Sequence, residues 1–509
     1  MSAVVRVLVA SAAVALLQTP LVRADSFDGA RKAIQQRMQE ANVPAIAVAV
    51  WKDGRILWEE GFGWADKENR VPATEHTMFN LASLSKTMTA TALMTLVQAG
   101  KVDLDKPAND YLGPDRMRSW IGDPAAVTVR TLANHTSGLP GSDQWFYGAD
   151  APKLPDMSVT IARYGILVAP AGERHVYSNL GYGILGHLVA RVSGKRYEDY
   201  MREAVFLPLG MTHSSMNLAP GLEKHQAIRY DYDRKPIPAY LSAEPASASI
   251  YSSAHDLARF GLYFLKSRLP DQRRILSDAS MDRMMQEAID ESGSPARPVG
   301  RDEDGYAIGW IRAREGGYVT YGHSGSSSGV NTNFLLVPSE NLGVVILGNA
   351  DGGGAALHRD LLKSVLPKWR EEPPAPHKPQ PQFTPSAQLV GVWKGKVHTF
   401  EGEQDIKLDV RSDGDIHVRI GGEPWLGNRS TVRQDALLNN VRFSNGELTG
   451  TTLAQIETAD TKRYPHTVYL HLTPRGDELN GTALAVSIFD GLWIYALPHW
   501  TSLKKAGSP

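Results

Sequence analysis

A proline-rich run in the last third of the chain constrains its folding more than any other feature. The segment from Glu371 to Pro385 holds six prolines in fifteen residues and almost no apolar side chains. Proline has a fixed φ and no backbone N–H, so such a run is typical of a semi-extended linker rather than a core element. It predicts that the 509-residue chain folds as a large unit, residues 25–370, and a small unit, residues 386–509, joined by a linker over 371–385. Each unit is long enough to form its own core.

Charge and cysteine content narrow the chemistry that the chain can carry. The 54 Lys and Arg residues are balanced by 55 Asp and Glu residues, so no basic excess attracts phosphates and we predict no nucleic-acid partner. The chain has no cysteine, which excludes disulfides, thiolate metal sites and a cysteine nucleophile. Because neither His-x-His nor His-Glu-x-x-His occurs, we predict no metal site, and we assign no cofactor.

The first 24 residues predict an export signal. Arg6 precedes an apolar run from Val7 to Leu17, and Val22-Arg23-Ala24 supplies the spaced small residues of a cleavage site. Gln18 interrupts the run before it reaches the roughly 18 apolar residues that a membrane helix needs. We therefore predict cleavage before Asp25, a periplasmic or secreted protein, and no transmembrane anchor in the mature chain.

Hydrophobic periodicity changes along the large unit. The pattern predicts a helix over 27–41, two strands over Ala45–Trp51 and Ile56–Phe62, and a helix over Thr87–Ala99 that ends at Gly100. Strand patterns return late in the unit, at Ile308–Ile311, Tyr318–Tyr321, Asn333–Val337 and Val344–Leu347. Strands at both ends of a helix-rich middle predict an α/β (α+β) fold with one sheet built from the two ends.

Period-two alternation dominates the small unit. Alternating apolar residues at Ile406–Val410 and Ile416–Ile420 flank a Ser-Asp-Gly-Asp turn, which predicts a hairpin. Further alternating segments at Val441–Phe443, Val468–Leu472 and Leu492–Ala496 are separated by turn residues. This spacing predicts an antiparallel β-barrel or sandwich.

The first candidate catalytic motif is Ser-x-x-Lys. Ser83 and Lys86 lie at the start of the predicted helix 87–99, and their i, i+3 spacing puts both side chains on one face. At a helix N-terminus, free backbone N–H groups favour a developing oxyanion, and a nearby amine of lowered pKa can accept the serine proton. The same pattern recurs at Ser502 to Lys505, so this motif alone does not identify a nucleophile.

Two further motifs follow in order. Tyr177-Ser178-Asn179 is the only Tyr-x-Asn in the chain; a tyrosine held near a lysine can relay a proton, and an amide can hold a substrate carbonyl. His323-Ser324-Gly325 is the only His-x-Gly and comes at the end of the predicted strand Tyr318–Tyr321, where glycine lets a ligand approach the backbone. Taken singly, these segments also fit a helix cap and a Gly/Ser-rich turn. Together, the three motifs predict a serine-nucleophile active site.

With these motifs in this order, the large unit resembles the serine β-lactamase and penicillin-binding family in its class C branch. That branch also contains D-aminopeptidases, D-alanyl-D-alanine carboxypeptidases and family VIII carboxylesterases. The resemblance covers about residues 28–366 and includes GKVDLDKP at 100–107, LANHTSGLP at 132–140 and SSAHDLARF at 252–260. It implies a β-lactamase-like antiparallel sheet flanked by helices, with a helical insert. The small unit is similar to the lipocalin-like β-barrels appended to some peptidase members.

The resemblance also implies roles for the motif residues. Ser83 would be the acylated nucleophile, Lys86 and Tyr177 would share proton transfer, and Asn179 would orient the substrate amide. The backbone N–H groups of Ser83 and Ser326 would form the oxyanion hole.

One motif departs from the pattern of many lactamases. The strand that carries His323, Ser324 and Gly325 would form the far wall of the substrate site, where many lactamases have Lys followed by Ser or Thr and Gly. Histidine lacks the permanent positive charge that would hold a substrate carboxylate, although protonated His323 would supply one at lower pH. This departure is similar to the peptidase-like members and weighs against efficient β-lactamase activity.

A competing serine lies in the same segment. Residues 325–329, Gly-Ser-Ser-Ser-Gly, satisfy the Gly-x-Ser-x-Gly nucleophile elbow of α/β-hydrolases. That elbow requires a strand followed by a helix, whereas residues 330–337 have a strand pattern. We therefore predict Ser83 rather than Ser327 as the nucleophile.

These observations predict an exported serine hydrolase that forms an acyl-enzyme on Ser83. The predicted substrate is a D-amino-acid peptide or a small ester or amide. Two alternatives stay open: a β-lactamase, and a non-catalytic penicillin-binding or sensor protein that keeps the pocket. The predicted partner is a small-molecule or peptide substrate, and the small unit either narrows access to the active site or mediates self-association.

Overall fold

A computed structural model describes residues 27–287, 305–352, 357–366, 368–370, 383–421 and 435–507. The predicted export signal and residues 371–382 of the predicted linker lie outside these ranges. Among the described helices, none is long and apolar enough to cross a membrane.

The large unit alternates strands and helices in an α/β arrangement. Its strands are β1 (Ala45–Lys52), β2 (Arg55–Asp66), β3 (Val71–Pro72), β4 (Phe79–Asn80), β5 (Arg118–Ser119), β6 (Asp143–Tyr147), β7 (Ile166–Leu167), β8 (Ser215–Met216), β9 (Tyr240–Ser242), β10 (Ile250–Ser252), β11 (Gly305–Tyr306), β12 (Ile311–Glu315), β13 (Tyr318–Ser327), β14 (Val330–Val337) and β15 (Leu342–Gly348). Its helices are α1 (Asp28–Glu40), α2 (Ser85–Gln98), α3 (Asn109–Leu112), α4 (Val129–Ala133), α5 (Met157–Tyr164), α6 (Asn179–Ser193), α7 (Tyr197–Met201), α8 (Pro245–Ala248), α9 (Ala254–Phe264), α10 (Asp278–Met284) and α11 (Leu357–Val365).

One antiparallel sheet joins the two ends of the large unit, as predicted. Its strand order is β11-β12-β13-β14-β15-β1-β2-β3, and Val48 of β1 pairs with Ile346 of β15. β1 is apolar from Ala45 to Trp51 because both of its faces are covered. Ile46, Val48 and Val50 belong to a core with α1 and α11, whereas the alternate residues belong to the main core with α2 and α9.

The strand predicted over Ile308–Ile311 is wrong for most of its length. These residues form the bend between β11 and β12. Gly309 adopts a φ of +79° there, and a Cβ at this position would lie 2.6 Å from the Cβ of Ala90. The apolar side chains of this bend are buried against the helical layer, which is why its composition is that of a strand.

The small unit is an antiparallel, nearly closed sheet. Its strands are β16 (Gly391–Thr399), β17 (Gly402–Val410), β18 (Ile416–Ile420), β19 (Ala436–Leu437), β20 (Asn439–Ser444), β21 (Glu447–Thr452), β22 (Thr467–Arg475), β23 (Glu478–Phe489) and β24 (Leu492–Lys505). They run in the order β19-β18-β17-β16-β24-β23-β22-β21-β20, so the two end strands are neighbours in the chain. The predicted hairpin is β17–β18, with Leu408 opposite Val418.

The two units share hydrogen-bonded strands. β24 pairs with β6 of the large unit, which places Ala496 opposite Asp143 and Tyr495 opposite Gln144. β6 in turn pairs with β9. The barrel-like sheet therefore continues into the large unit at the segment that leads to the candidate site.

Candidate active site

Ser83 lies in a tight turn directly before α2. The 3₁₀ turn Ala82–Leu84 contains a non-glycine residue, Ala82, with a φ of +45°, a conformation that L residues rarely adopt. The Asn80 side chain stabilises the turn by accepting a hydrogen bond from the Ala82 N–H at 3.0 Å. The turn presents Ser83 at the N-terminus of α2, as the Ser-x-x-Lys spacing predicts.

Lys86 lies in the first turn of α2, and its side chain is fully buried. Its Nζ atom lies 3.0 Å from Ser83 Oγ, 2.6 Å from Asn179 Oδ1 and 3.1 Å from the carbonyl oxygen of Ser247. The structure thus brings together the predicted residues Ser83, Lys86 and Asn179, although Asn179 is 93 positions from Lys86 in the chain.

Burial lowers the pKa of Lys86 to about 7, and the carboxylates of Asp143 and Glu244 oppose this shift. A neutral amine has two N–H donors and one lone pair. The carbonyl oxygens of Asn179 and Ser247 accept the two donors, so the lone pair is free to take the hydroxyl proton of Ser83. In the neutral form, the 3.0 Å contact with Ser83 Oγ is therefore the one through which the proton passes.

Tyr177 lies just before α6, which Ser178 caps by accepting the Gly181 N–H at 3.1 Å. Tyr177 lines the same cavity as Ser83, and Lys86 Nζ is 4.9 Å from the ring centroid of Tyr177. Burial raises the pKa of Tyr177 above its ordinary value. The phenol is therefore protonated at neutral pH and can donate a proton.

His135 supports this tyrosine from behind. The His135 side chain is buried, its Nδ1 accepts the Ser178 N–H at 3.1 Å, and its ring centroid is 4.3 Å from that of Tyr177. Burial, together with the charges of nearby His175 and Lys86, lowers the pKa of His135 well below its usual range. Its segment, LANHTSGLP, is one of those that carry the family resemblance, which implies no role for the histidine.

Two carboxyl groups complete the polar network, half-buried Asp143 and buried Glu244, and no motif predicted either of them. Asp143 Oδ1 accepts a hydrogen bond from Asn179 Nδ2 at 2.7 Å, which leaves Asn179 Oδ1 turned toward Lys86. Burial raises the pKa of Asp143 to about 6. Burial and the Asp143 charge raise the pKa of Glu244 to about 8, and Glu244 accepts a hydrogen bond from Ser142 at 3.1 Å.

His323, Ser324 and Gly325 lie inside β13 rather than after a strand. The imidazole of His323 is buried, with Nε2 2.9 Å from the Tyr306 hydroxyl and Nδ1 2.6 Å from the carbonyl oxygen of Ser324. A Cβ on Gly325 would lie 2.0 Å from the carbonyl oxygen of Leu81. Gly325 thus lets β13 pack against the segment that holds Ser83, while the substrate contacts assigned to His323, Ser324 and Gly325 stay predictions.

A cavity of about 460 Å³ opens beside Ser83. Four of the predicted site residues line it: Ser83, Tyr177, Asn179 and Ser326. Their assembly at one cavity fits the predicted oxyanion hole between Ser83 and Ser326, whose N–H roles stay a prediction.

Ser327, the competing nucleophile, also lines this cavity. It ends β13, and β14 begins at Val330, so the strand-to-helix elbow is replaced by a turn between two strands. Its Oγ lies 3.0 Å from the Tyr240 hydroxyl.

The β23–β24 hairpin of the small unit closes one side of the cavity. Ile488, Gly491 and Trp493 are among the lining residues. The Tyr147 hydroxyl donates to the carbonyl oxygen of Trp493 at 2.9 Å, and the Trp493 N–H donates to Ser328 Oγ at 2.9 Å. These contacts are consistent with the prediction that the small unit narrows access to the site.

Comparisons with known proteins agree with this geometry. Residues 30–366 match the family described as Beta-lactamase. Protein flp of Staphylococcus aureus (strain N315) is 28% identical over 332 residues, which is 64% of this chain and 63% of that protein; the chain thus spans less than two thirds of the length of this relative. Penicillin-binding protein 4 of Amycolatopsis lactamdurans is 30% identical over 351 residues, covering 64% of this chain and 86% of that protein.

Solved structures show a similar fold. An octameric penicillin-binding protein homologue from Pyrococcus abyssi aligns with a TM-score of 0.56 and 23% identity over 93% of this chain and 99% of its own. A beta-lactamase/D-alanine carboxypeptidase from Pseudomonas syringae aligns with a TM-score of 0.58 and 19% identity over 67% of this chain and 99% of its own. The first alignment includes the small unit as well as the large one, so that two-unit architecture is shared.

Proposed function

The chain belongs to the beta-lactamase family of serine hydrolases, and we propose that it cleaves a D-amino-acid peptide or a small ester or amide through an acyl-enzyme on Ser83. The observation that carries this proposal is the set of three contacts at Lys86 Nζ. They hold a buried amine of lowered pKa 3.0 Å from Ser83 Oγ, the arrangement of a nucleophile and its base.

Acylation begins with attack of Ser83 Oγ on the substrate carbonyl carbon. Lys86 Nζ takes the hydroxyl proton, and the backbone N–H groups of Ser83 and Ser326 stabilise the oxyanion. Tyr177 then donates its phenol proton to the leaving amine or alcohol as the carbonyl–leaving-group bond breaks, and protonated Lys86 restores the phenol. The acyl group stays on Ser83 as an ester.

Deacylation is the same sequence with water as the nucleophile. A water molecule that enters beside Tyr177 loses a proton to the Tyr177–Lys86 pair and attacks the ester carbonyl. The carboxylic acid leaves as Ser83 recovers its proton. Asn179 holds Lys86 in place throughout, because its Oδ1 accepts an Nζ hydrogen at 2.6 Å.

The form of the cavity supports a small acyl donor. Its volume of about 460 Å³ lies at the low end of ordinary ligand sites, and the β23–β24 hairpin limits one side. The names of two similar proteins, a penicillin-binding protein and a beta-lactamase/D-alanine carboxypeptidase, support peptide-like substrates. His323 in place of a lysine weighs against a β-lactam as the preferred substrate.

A substrate panel tests the proposal. We expect kcat/KM to be larger for a D-alanyl peptide or a p-nitrophenyl ester than for a cephalosporin, and we expect Ser83→Ala to abolish all turnover. Ser327→Ala, which changes another serine at the same cavity, is the matched control and should retain activity. A dominant cephalosporin rate would make the protein a β-lactamase. Penicillin binding without turnover of any substrate would make it a binding or sensor protein.

We also propose that the protein acts outside the cytoplasm, as a periplasmic or secreted enzyme. The support is the basic and apolar character of residues 1–24. N-terminal sequencing of the protein from its host should begin at Asp25, and an intact N-terminus would argue for another location.

A further inference from the structure

The carboxylate of Asp143 faces the cavity with one oxygen uncommitted. Its Oδ1 accepts the Asn179 amide hydrogen, but Oδ2 receives no hydrogen bond from any residue in the described ranges, and Asp143 lines the cavity. Its place is fixed by two units of the protein, because Asp143 begins β6 and pairs with Ala496 of β24. A rigidly held acceptor in a substrate cavity is available to a donor on the substrate.

A second carboxylate, together with the absence of basic residues from the described lining, favours a positively charged group in this cavity. Asp351 also lines it, and none of the described lining residues is Lys, Arg or His. Lys86 lies beneath the floor with its three partners already in place. Two arginines lie outside the lining: Arg229, with its guanidinium 3.7 Å from the Tyr240 ring centroid, and Arg234, which donates to the backbone carbonyl oxygen of Asp351 at 3.3 Å.

We propose that the enzyme selects acyl donors that carry a free, protonated amine, with Asp143 as the principal acceptor and Asp351 as a secondary one. This inference rests on the proposed acyl-enzyme function of Ser83 and names the substrate class of that site. Opposite charges attract across a few ångströms and like charges repel. A substrate with an ammonium group is therefore favoured over its neutral analogue, and a substrate with a carboxylate in the same place is disfavoured.

Three p-nitroanilides that differ only at the amine test the proposal at pH 7, where the α-amino group is largely protonated. They are D-alanine p-nitroanilide, its N-acetyl derivative and its N-succinyl derivative. We expect kcat/KM to fall by about 10-fold from the free amine to the N-acetyl compound and further for the N-succinyl compound. Raising KCl from 50 to 500 mM should reduce the first ratio in the wild-type protein, because salt screens the attraction.

Substitutions locate the acceptor. Asp143→Asn should reduce the ratio of free-amine to N-acetyl kcat/KM by about 10-fold, and Asp351→Asn should reduce it less. Asp110→Asn removes a carboxylate of the same charge from exposed α3 and should leave the ratio unchanged. The ratio is the readout because Asp143 also contacts Asn179, so its substitution affects turnover of all three compounds.

The same compounds distinguish loss of the amine selectivity from loss of the acyl-enzyme function. If the N-acetyl compound is hydrolysed as fast as the free amine, or if the ratio is insensitive to salt and to both substitutions, the proposed selectivity is wrong while acylation of Ser83 stands. If none of the compounds is hydrolysed and a fluorophosphonate leaves Ser83 unlabelled, the proposed function itself is wrong.

Discussion

The pH dependence of acylation follows directly from the surroundings of Lys86. The amine must be neutral to accept the Ser83 proton, and burial lowers its pKa to about 7. We therefore expect kcat/KM for a p-nitrophenyl ester to rise with pH and level off above this value. At pH 5, two units below this value, a fixed pKa would leave about 1% of the amine neutral, so about 100-fold is the upper bound on the fall in kcat/KM. The fall should be smaller than this bound, because Asp143, with a pKa of about 6, is then protonated and no longer raises the pKa of Lys86.

Asp143 sets the pH at which kcat/KM falls on the acid side of the profile, the acid limb. Its carboxylate opposes the effect of burial on the pKa of Lys86, so removing the charge should lower that pKa. In Asp143→Asn we expect the limb to move to lower pH even if the plateau falls. In Lys86→Arg the side chain stays protonated at every accessible pH, so the limb should disappear and the plateau should fall to the level of Ser83→Ala.

The assay is the initial rate of p-nitrophenolate release from pH 5 to 9 at constant ionic strength, corrected for spontaneous hydrolysis. Lys101→Arg, an exposed lysine shortly after α2, is the matched control and should reproduce the wild-type profile. A limb near pH 10, the ordinary range of lysine, would show that burial does not lower the pKa of the catalytic base. A limb that Asp143→Asn leaves in place would contradict the effect of its charge, and a Lys86→Arg enzyme of normal activity would contradict the role of Lys86 as that base.

Three further outcomes follow from the packing. Gly325→Ala should lower kcat/KM by at least about 10-fold and reduce Tm, because the new Cβ would lie 2.0 Å from the Leu81 carbonyl oxygen. Gly29→Ala, which has no atom within 4 Å of the new Cβ, should leave both kcat/KM and Tm unchanged. Trp493→Ala should raise the ratio of kcat/KM for a bulky acyl ester to that for an acetyl ester, because it opens the side of the cavity that the hairpin closes. Leu453→Ala, which alters an exposed side chain of the small unit, should leave this ratio unchanged. Equal ratios in the two variants would show that the hairpin does not limit access. Burial lowers the pKa of His499 to about 3, below its unfolded value of about 6.5. As pH falls, the unfolded chain therefore binds a proton before the folded protein does. Between these two pKa values, the free energy of unfolding should fall by about 1.4 kcal/mol per pH unit. Urea unfolding of wild type and His499→Gln at pH 7 and pH 4.5 checks this, and an equal loss of stability in both proteins would contradict it.

Local patterning predicted much of the architecture. The alternation in Ile406–Val410 and Ile416–Ile420 predicted the β17–β18 hairpin, and the strand patterns at both ends of the large unit predicted one shared sheet. These predictions succeed because alternation records which face of a strand is buried. The pattern at Ile308–Ile311 failed because a buried bend carries the same apolar residues as a strand, and only Gly309 marks the turn.

The candidate site also combines residues that local sequence predicts with one that depends on long-range pairing. Ser83, Lys86, Tyr177 and Asn179 stand in short motifs whose spacing is a local property of the chain. In the structure, Lys86 is hydrogen-bonded to Ser83 and Asn179, and the ring of Tyr177 lies beside it. Asp143 has no motif, because its role depends on pairing with Ala496, 353 positions later in the chain. Long-range pairing of this kind leaves no trace in local sequence.

Covalent labelling shows whether Ser83 is the nucleophile. The full-length protein is treated with a fluorophosphonate probe, and the adduct is mapped by mass spectrometry of proteolytic peptides in wild type, Ser83→Ala and Ser327→Ala. We expect a single adduct on Ser83 in wild type and Ser327→Ala, and no adduct in Ser83→Ala. Labelling that persists in Ser83→Ala, or an adduct on Ser327, would contradict this assignment.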